Sequence, residues 1–425
     1  MLPGGDAILF SVIGGDFSWD SARIEVYELS SGERKTLLTG GAGAQYVDSG
    51  HLLYAREGSL LAVPFDVERR EVTGPPSTVL EGLQMGSATS EAQFSLSTNG
   101  TVAYISGGSS EVVGARPATL VWVDRNGREE PLSLEPDRYY SPRLSPDGFR
   151  LAVGIGAADR EILGISIADL ERDTIMRLTY GGGDRHPLWT PDGERVVLGS
   201  SGSGAFVNVF VLAADGTGEL ARLTESAFSQ TPYSFSPDGK SLVIGEHRPL
   251  ETGWDLLLHD SEDDHTEVLL RTPATERNAE ISPDGRWIAY ESDQTGRLEV
   301  YVRSFPDVSA GRWQVSTDGG MAPVWARDGR GLYFVRDSAI MSVALETNGS
   351  VKASAPEVLF DSPEYVLTQT WNWRAFDLSP DGKRFLMVKR VADSDSDSDS
   401  DSASKPEIRV FLNWTEELKR LVSKN

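Results

Sequence analysis

Ser282-Pro283-Asp284-Gly285-Arg286-Trp287-Ile288-Ala289-Tyr290 reads as a tight turn followed at once by an apolar strand. Proline presets φ at the second turn position, aspartate bonds the backbone ahead of it, and glycine accepts a conformation that other residues resist. The same string stands at Ser145–Gly148, Thr190–Gly193, Ser236–Gly239 and Ser379–Gly382. Looser copies are Pro3-Gly4-Gly5, Asp48-Ser49-Gly50, Thr98-Asn99-Gly100 and Arg327-Asp328-Gly329. The closing glycines, Gly5, Gly50, Gly100, Gly148, Gly193, Gly239, Gly285, Gly329 and Gly382, are separated by steps of 44 to 53 residues. A lone turn of this kind means little, but nine in phase define a repeat.

Working outward from each anchor gives the repeating unit. A short apolar strand precedes it, as in Pro187-Leu188-Trp189 and Pro323-Val324-Trp325. A second strand follows, as in Arg150–Val153 and Arg384–Val388, and a third comes after a variable loop, as in Val207–Leu212 and Trp254–His259. A polar turn and a fourth strand close the unit, twice ending Arg-Leu-Thr, at Arg177–Thr179 and Arg222–Thr224. Four short strands with turns between them make one antiparallel blade. A blade has two apolar faces and must stack on neighbours, which a propeller achieves with only short edges exposed. The expected fold is therefore all-β: one propeller over 1–425 of about eight four-stranded blades, within a range of seven to nine. The first repeat starts at its anchor and lacks an innermost strand, which suggests the downstream part of a longer protein. Thr415–Val422, with Leu418, Leu421 and Val422 on one face, predicts a short C-terminal helix over 415–423.

Bulk composition removes several function classes. The net charge of -24 argues against nucleic acid and against anionic lipid, both of which need basic surface. The chain has no cysteine, so disulfides, thiolate catalysis and Cys-bound zinc are excluded. No apolar run is long enough to span a bilayer, and Met1–Asp6 has no signal-peptide pattern. The alternating Asp-Ser tract around Asp393–Ser402 predicts a disordered loop over 392–405, placed between two strands of the last blade.

The anchors, the Pro-x-Trp before them and the Arg-Leu-Thr after them resemble the TolB-like propeller repeat over nearly the whole chain. Leu120–Asp124 with Arg125-Asn126-Gly127, Tyr301–Pro306, Arg312–Ser316 and Leu412–Leu421 look like the C-terminal propeller of bacterial receptor-type serine/threonine kinases. No kinase phosphate loop, catalytic loop or metal-binding motif is present. The resemblance thus implies a kinase-associated sensor region, an upstream kinase and membrane span as partner, and an extracytoplasmic or periplasmic location. No address in this chain itself separates that location from the cytoplasm.

A search for chemistry yields no catalytic constellation, metal set or cofactor motif. Gly199-Ser200-Ser201-Gly202-Ser203-Gly204 is not a nucleophile elbow and falls where a hairpin loop is expected. Of the five histidines, His186 alone sits just before an innermost strand. His259 and His265 flank an acidic turn, Asp260 to Asp264, that lacks the spacing of a calcium loop. Carboxylates abound, but sequence cannot set two face to face. Position supplies the better candidates, because propellers bind where the loops leading into the innermost strands meet over the channel. Those segments carry Arg138, Tyr139, Tyr140, Asp184, Arg185, His186, Gln230, Arg277, Asn278, Trp371, Asn372 and Trp373. Aromatic, guanidinium and amide groups suit a protein, a peptide or a small polar ligand. For any one of them, hydrogen bonding between blades is the simpler role, and Trp371 and Trp373 could share one blade seam. The reading is a non-catalytic sensory or binding scaffold. The alternative is a propeller enzyme, a metal-dependent lyase or a peptidase-associated propeller, using the channel near His186.

Overall fold

Each Ser/Thr-Pro-Asp-Gly string forms the turn its residue types predict in the computed structural model. The structure describes all residues except 13–21, 57, 84–92, 98–100, 107–116, 157–161, 182, 203, 205, 250, 348, 369–373, 392–406, 413, 415–417, 419 and 421–425. In the turn at Ser145 the Gly148 amide donates to the Ser145 carbonyl at 2.8 Å, with Gly148 at φ +78°. The Ser145 hydroxyl donates to Asp147 and accepts the Arg150 amide at 2.9 Å, so side chains bolt the turn to the strand that follows. Thr190, Ser236, Ser282 and Ser379 repeat the arrangement, accepting the amides of Arg195, Ser241, Trp287 and Arg384 at 3.0 to 3.1 Å.

The described residues form nine antiparallel sheets. The chain that the repeat predicts as one ring divides into two compact units, one of Val113–Ala392 and one of Met1–Val112 with Asp393–Asn425.

Val113–Ala392 holds six sheets. Blade 1 comprises Tyr139–Leu144, Arg150–Gly156, Ile162–Asp169 and Thr174–Arg177. Blade 2 comprises Arg185–Trp189, Arg195–Ser200, Asn208–Ala213 and Ala221–Arg222; blade 3 comprises Ser229–Phe235, Ser241–Arg248, Gly253–Asp260 and His265–Leu270. Blade 4 runs through Glu276–Ile281, Trp287–Ser292, Glu299–Ser304 and Arg312–Gln314. Blade 5 is built on Met321–Trp325, Gly331–Arg336, Ala339–Glu346 and Glu357–Asp361. Blade 6 is composite: Tyr365–Val366, Phe376–Leu378 and Arg384–Arg390 come from the end of the unit, Ala118–Asp124 and Glu129–Pro131 from its start. The joint is seven residues in unbroken register, from Ala118 opposite Arg390 to Asp124 opposite Arg384.

Six apolar clusters fill the six seams between these blades. Leu120, Val388 and Ala375 of blade 6 meet Leu151 and Val153 of blade 1, which shuts the ring. Phe376, Phe385 and Met387 meet Tyr333, Val335 and Ile340 of blade 5 on the other side, with Tyr333 and Phe385 edge to face at 5.0 Å. Most of the anchor turns also abut the anchor of a neighbouring blade. A methyl group on Gly193, Gly239 or Gly285 would touch the proline of the preceding anchor at 3.4 to 3.6 Å, and one on Gly148 would meet Pro380 of blade 6 at 3.0 Å.

Met1–Val112 with Asp393–Asn425 holds the other three sheets. These are Ala7–Val12 with Arg23–Glu28 and Arg34–Thr39; Ala42–Val47, His51–Arg56 and Ser59–Asp66 with Glu71–Val72 and Ser77–Glu81; and Phe94–Leu96, Val102–Ser106 and Glu407–Phe411. In the last sheet Ser106 stands opposite Glu407, so strands about 300 residues apart in sequence are direct neighbours. This corrects the placement of the Asp-Ser tract. It joins blade 6 to this sheet and does not divide two strands of one blade, because the Glu407–Phe411 strand pairs with Val102–Ser106 instead. The tract itself and the anchor at 98–100 lie outside the described residues. Of the C-terminal helix predicted over 415–423, Leu418 and Arg420 are described and helical, as is Trp414 just before it; Trp414 and Leu418 are buried against Leu53, Leu60, Val102 and Tyr104.

Phe385→Ala empties the centre of the seam between blades 5 and 6, and should destabilise the protein by about 3–5 kcal/mol. Urea unfolding checks this, with Ile175→Ala as the control, since Ile175 is 45% exposed and its loss should change stability by less than about 0.5 kcal/mol.

Candidate functional site

The innermost strands of blades 1, 2, 4 and 5 each carry one irregularity. The register shifts between Tyr140 and Arg143, Arg185 and Leu188, Arg277 and Glu280, and Met321 and Val324. At each shift one residue takes left-handed backbone: Ser141 at φ +46°, His186 at +55°, Asn278 at +50° and Ala322 at +49°. Three of the four precede a proline, in Ser141-Pro142, His186-Pro187 and Ala322-Pro323. Proline cannot donate to the ladder, so the strand bulges there and the side chains around it are re-aimed. Blade 3 has the same Thr231-Pro232, with its shift between Pro232 and Ser234.

These bulges line one cavity at the centre of the ring. Its wall is Arg143, His186, Thr231, Pro232, Tyr233 and Asn278, continued by Ala279, Glu280, Ala322, Pro323 and Arg374. Its empty volume is about 380 Å³ including open solvent at the mouth. All six blades contribute, so the cavity exists only once the ring is closed.

The polar groups in the wall are held from behind. Arg374 pairs with Glu280 at 2.9 Å and with Asp377 at 3.4 Å. Asp377 also accepts the Leu144 amide at 2.8 Å, which ties blade 6 to blade 1. His186 Nδ1 lies 3.2 Å from the Ser141 hydroxyl of the neighbouring blade. Burial, together with the charges of Arg185 and Arg143, holds the His186 imidazole well below its ordinary range, so it is neutral. Trp189 and Trp325, the tryptophans before the anchors, donate their indole N–H to the carbonyls of Arg143 and Glu280 at 2.9 Å, bracing the strands that carry those side chains.

The twelve residues expected at the channel mouth divide sharply. His186 and Asn278 line the cavity. Tyr139 is buried in the seam between blades 6 and 1, where its hydroxyl donates to the Glu135 carbonyl at 2.5 Å and burial pushes its pKa up to about 12. The Tyr140 ring covers Gly156, leaving no room there for a Cβ. Gln230 is a buried link between Thr224 and Glu246. Arg277 is paired with Glu291 at 2.6 Å, and Glu291 accepts the Ala322 amide of blade 5 at 2.6 Å. Arg185 donates to the Gly183 carbonyl at 2.9 Å; Asp184 is buried beside it, and Arg138 is half-buried; none of the three lines the cavity. Trp371, Asn372 and Trp373 lie outside the described residues. Sequence reasoning missed Arg143, Tyr233, Glu280 and Arg374. A usable signal was present, since the residues flanking the proline at the start of the innermost strands supply much of the wall.

The other features weighed for chemistry are explained locally. Asp260 accepts the amides of Glu262 and Asp263, and His259 lies 3.0 Å from the Thr266 hydroxyl, so that acidic turn is folded on itself. Among the described residues no group of three His, Asp or Glu side chains converges as a metal site. Among the described residues, too, no helix is long and apolar enough to cross a membrane.

No protein-family model matches this chain. The Tol-Pal system protein TolB of Francisella tularensis subsp. holarctica (strain OSU18) is 28% identical over 224 residues, covering 46% of this chain and 48% of that protein. TolB of Francisella tularensis subsp. mediasiatica (strain FSC147) matches with the same identity and extent. The chain thus spans about half the length of the curated relatives it matches. Among solved structures, a putative TolB from Agrobacterium tumefaciens superposes with a TM-score of 0.53 at 19% identity, over 65% of this chain and 99% of that one. The fold is that of a TolB-like β-propeller.

His186 is neutral in the folded protein, whereas an unfolded histidine gains a proton below about pH 6.5. The unfolded state then binds more protons, so His186 should remove stability as pH falls from about 6.5, by at most about 1.4 kcal/mol per pH unit. His186→Asn, which tolerates the left-handed backbone, should flatten that part of the acid limb in urea unfolding between pH 7 and 5. The shares of His247 and His259, whose pKa values burial also lowers, should remain.

Proposed function

We propose that this chain is a non-catalytic binding propeller that receives a polypeptide in the central channel of Val113–Ala392. The observation that carries the reading is the cavity itself: every blade supplies part of its wall, five of the six with a polar side chain, and inter-blade bonds hold that wall in place. Such a wall is pre-organised, so a ligand would order little on binding. Its lining of guanidinium, amide, hydroxyl and phenol groups suits backbone and polar side chains better than an apolar ligand.

The likeness to proteins named for the Tol-Pal system supports a protein partner in general. The segments that resemble receptor-kinase propellers support a sensory role outside the cytoplasm, with a kinase and membrane span as the partner region. A role without catalysis is consistent with how the wall residues are used. The carboxylates of Glu280 and Asp377 are engaged by Arg374, and the imidazole of His186 is neutral and placed against a blade-seam hydroxyl.

Selection of displayed random peptides against the full chain tests the reading. Recovered peptides should bind the wild-type protein and weaken at least about tenfold (about 1.4 kcal/mol) in Thr231→Met, which narrows the cavity. They should bind Ile175→Ala unchanged. A matched melting temperature for Thr231→Met shows that the loss is not unfolding. Peptides indifferent to Thr231→Met, or none recovered, would refute a channel receptor.

A further inference from the structure

We infer that the channel is selective for an acidic peptide segment, whose carboxylate is taken by Arg143. The inference rests on the reading of the channel as a polypeptide receptor and names the chemistry that reading leaves open. Arg143 follows the bulge proline of blade 1 and stands in the cavity wall. Its Nη1 donates to the carbonyls of Pro142 at 2.7 Å, Arg374 at 3.2 Å and Phe376 at 3.5 Å. Three carbonyls on one nitrogen fix the guanidinium in place and leave its charge uncompensated. Among the described residues Nε and Nη2 meet no acceptor, and no carboxylate lies within ion-pair distance of Arg143.

The acids whose fields reach it are committed elsewhere. Glu280 holds Arg374 at 2.9 Å. Asp377 accepts the amides of Leu144 at 2.8 Å and Leu378 at 2.9 Å, and faces Arg374 at 3.4 Å. Burial pushes the Arg143 guanidinium down to about 9, and Arg374 adds to the effect, against the opposing fields of Asp377 and Glu280. A guanidinium anchored at one corner with adjacent donors open is matched to the two oxygens of a carboxylate. The bound oxygens would also restore the compensation that the protein withholds. The net charge of -24 repels an acidic ligand at long range, so affinity must come from contact in the channel, where water no longer screens it.

Calorimetry with hexaglutamate, blocked at both ends, tests this on the full chain at low salt. The expected result is binding to the wild-type protein, at least about tenfold weaker binding to Arg143→Met, and partial recovery in Arg143→Lys, which keeps the charge but not the fork. Blocked hexaglutamine should not bind, and Arg312→Gln, which removes a cation at the outer edge of blade 4, should bind hexaglutamate as wild type does. An unblocked hexaglutamine that binds through Arg143 would assign the site to a chain-end carboxylate in place of a side chain, and would overturn the acidic-segment version. Inorganic phosphate displacing hexaglutamate at equal concentration would reduce the site to a free-anion slot and overturn it likewise. If selected peptides depend on Thr231 but not on Arg143, the acidic preference fails and the polypeptide receptor stands. If no peptide binds in the channel at all, both fail.

Discussion

The pairing of Ala118–Asp124 with Arg384–Arg390 is the interaction on which the ring depends. Each blade is a sheet with two apolar faces, and five blades in a row leave two of those faces bare. The sixth blade covers both, through Leu120 and Val388 against blade 1 and through Phe376 and Phe385 against blade 5. Because that blade takes strands from both ends of the unit, the ring cannot be finished by local folding. It costs the closure of a loop some 260 residues long, a penalty that grows only slowly with length and is offset by two buried seams. The same pairing sets the two ends of the unit side by side.

Closure has a chemical consequence. The bulges at Ser141, His186 and Asn278 put polar side chains where an ordinary strand would continue its alternation. In an open sheet these groups would be solvated. In the closed ring they face one another across a narrow channel, and their charges are set by that enclosure. His186 is kept neutral, Arg374 is shared between Glu280 and Asp377, and Arg143 is left with carbonyls alone. Left-handed backbone at non-glycine residues is costly, of order 1–3 kcal/mol each, and persists where the surroundings enforce it. Here the enforcing contacts are the hydroxyl, indole and carboxylate bonds that cross the blade seams.

The repeat was legible because a turn is a local object. Ser145, Pro146, Asp147 and Gly148 each have a reason to stand where they do that involves only their near neighbours. The strands around each turn are legible for the same reason, and the nine sheets of the described residues fall at the upper end of the seven to nine that the repeat predicts. Candidate residues at the channel mouth fared unevenly. Position along the strand pointed to His186 and Asn278, but Arg277, Gln230 and Tyr139 carry equally suggestive side chains that are spent inside seams. A one-residue bulge exchanges the faces of a strand, so alternation counted from the mouth points the wrong side chains inward. Arg143, beyond the bulge at Ser141, comes to the wall in this way, while Arg374 stands before the Phe376–Leu378 strand and is placed by its pairs with Glu280 and Asp377.

What the sequence determined by itself is the blade: its strand order, its anchor turn and its need for neighbours, all consequences of short-range backbone chemistry and apolar alternation. Long-range packing, by contrast, sets how the nine sheets of the described residues are shared out. Six close on themselves through a strand borrowed from the start of the unit, and three belong elsewhere, with a strand returning from near the C-terminus. That choice lies in pairings such as Leu120 with Val388 and Tyr104 with Arg409, between residues about 270 and 300 positions apart. Any apolar strand of the right length could have offered those contacts locally. Which one does so is settled by side-chain packing in the seams, and packing is a property of surfaces that the order of residues along the chain does not display.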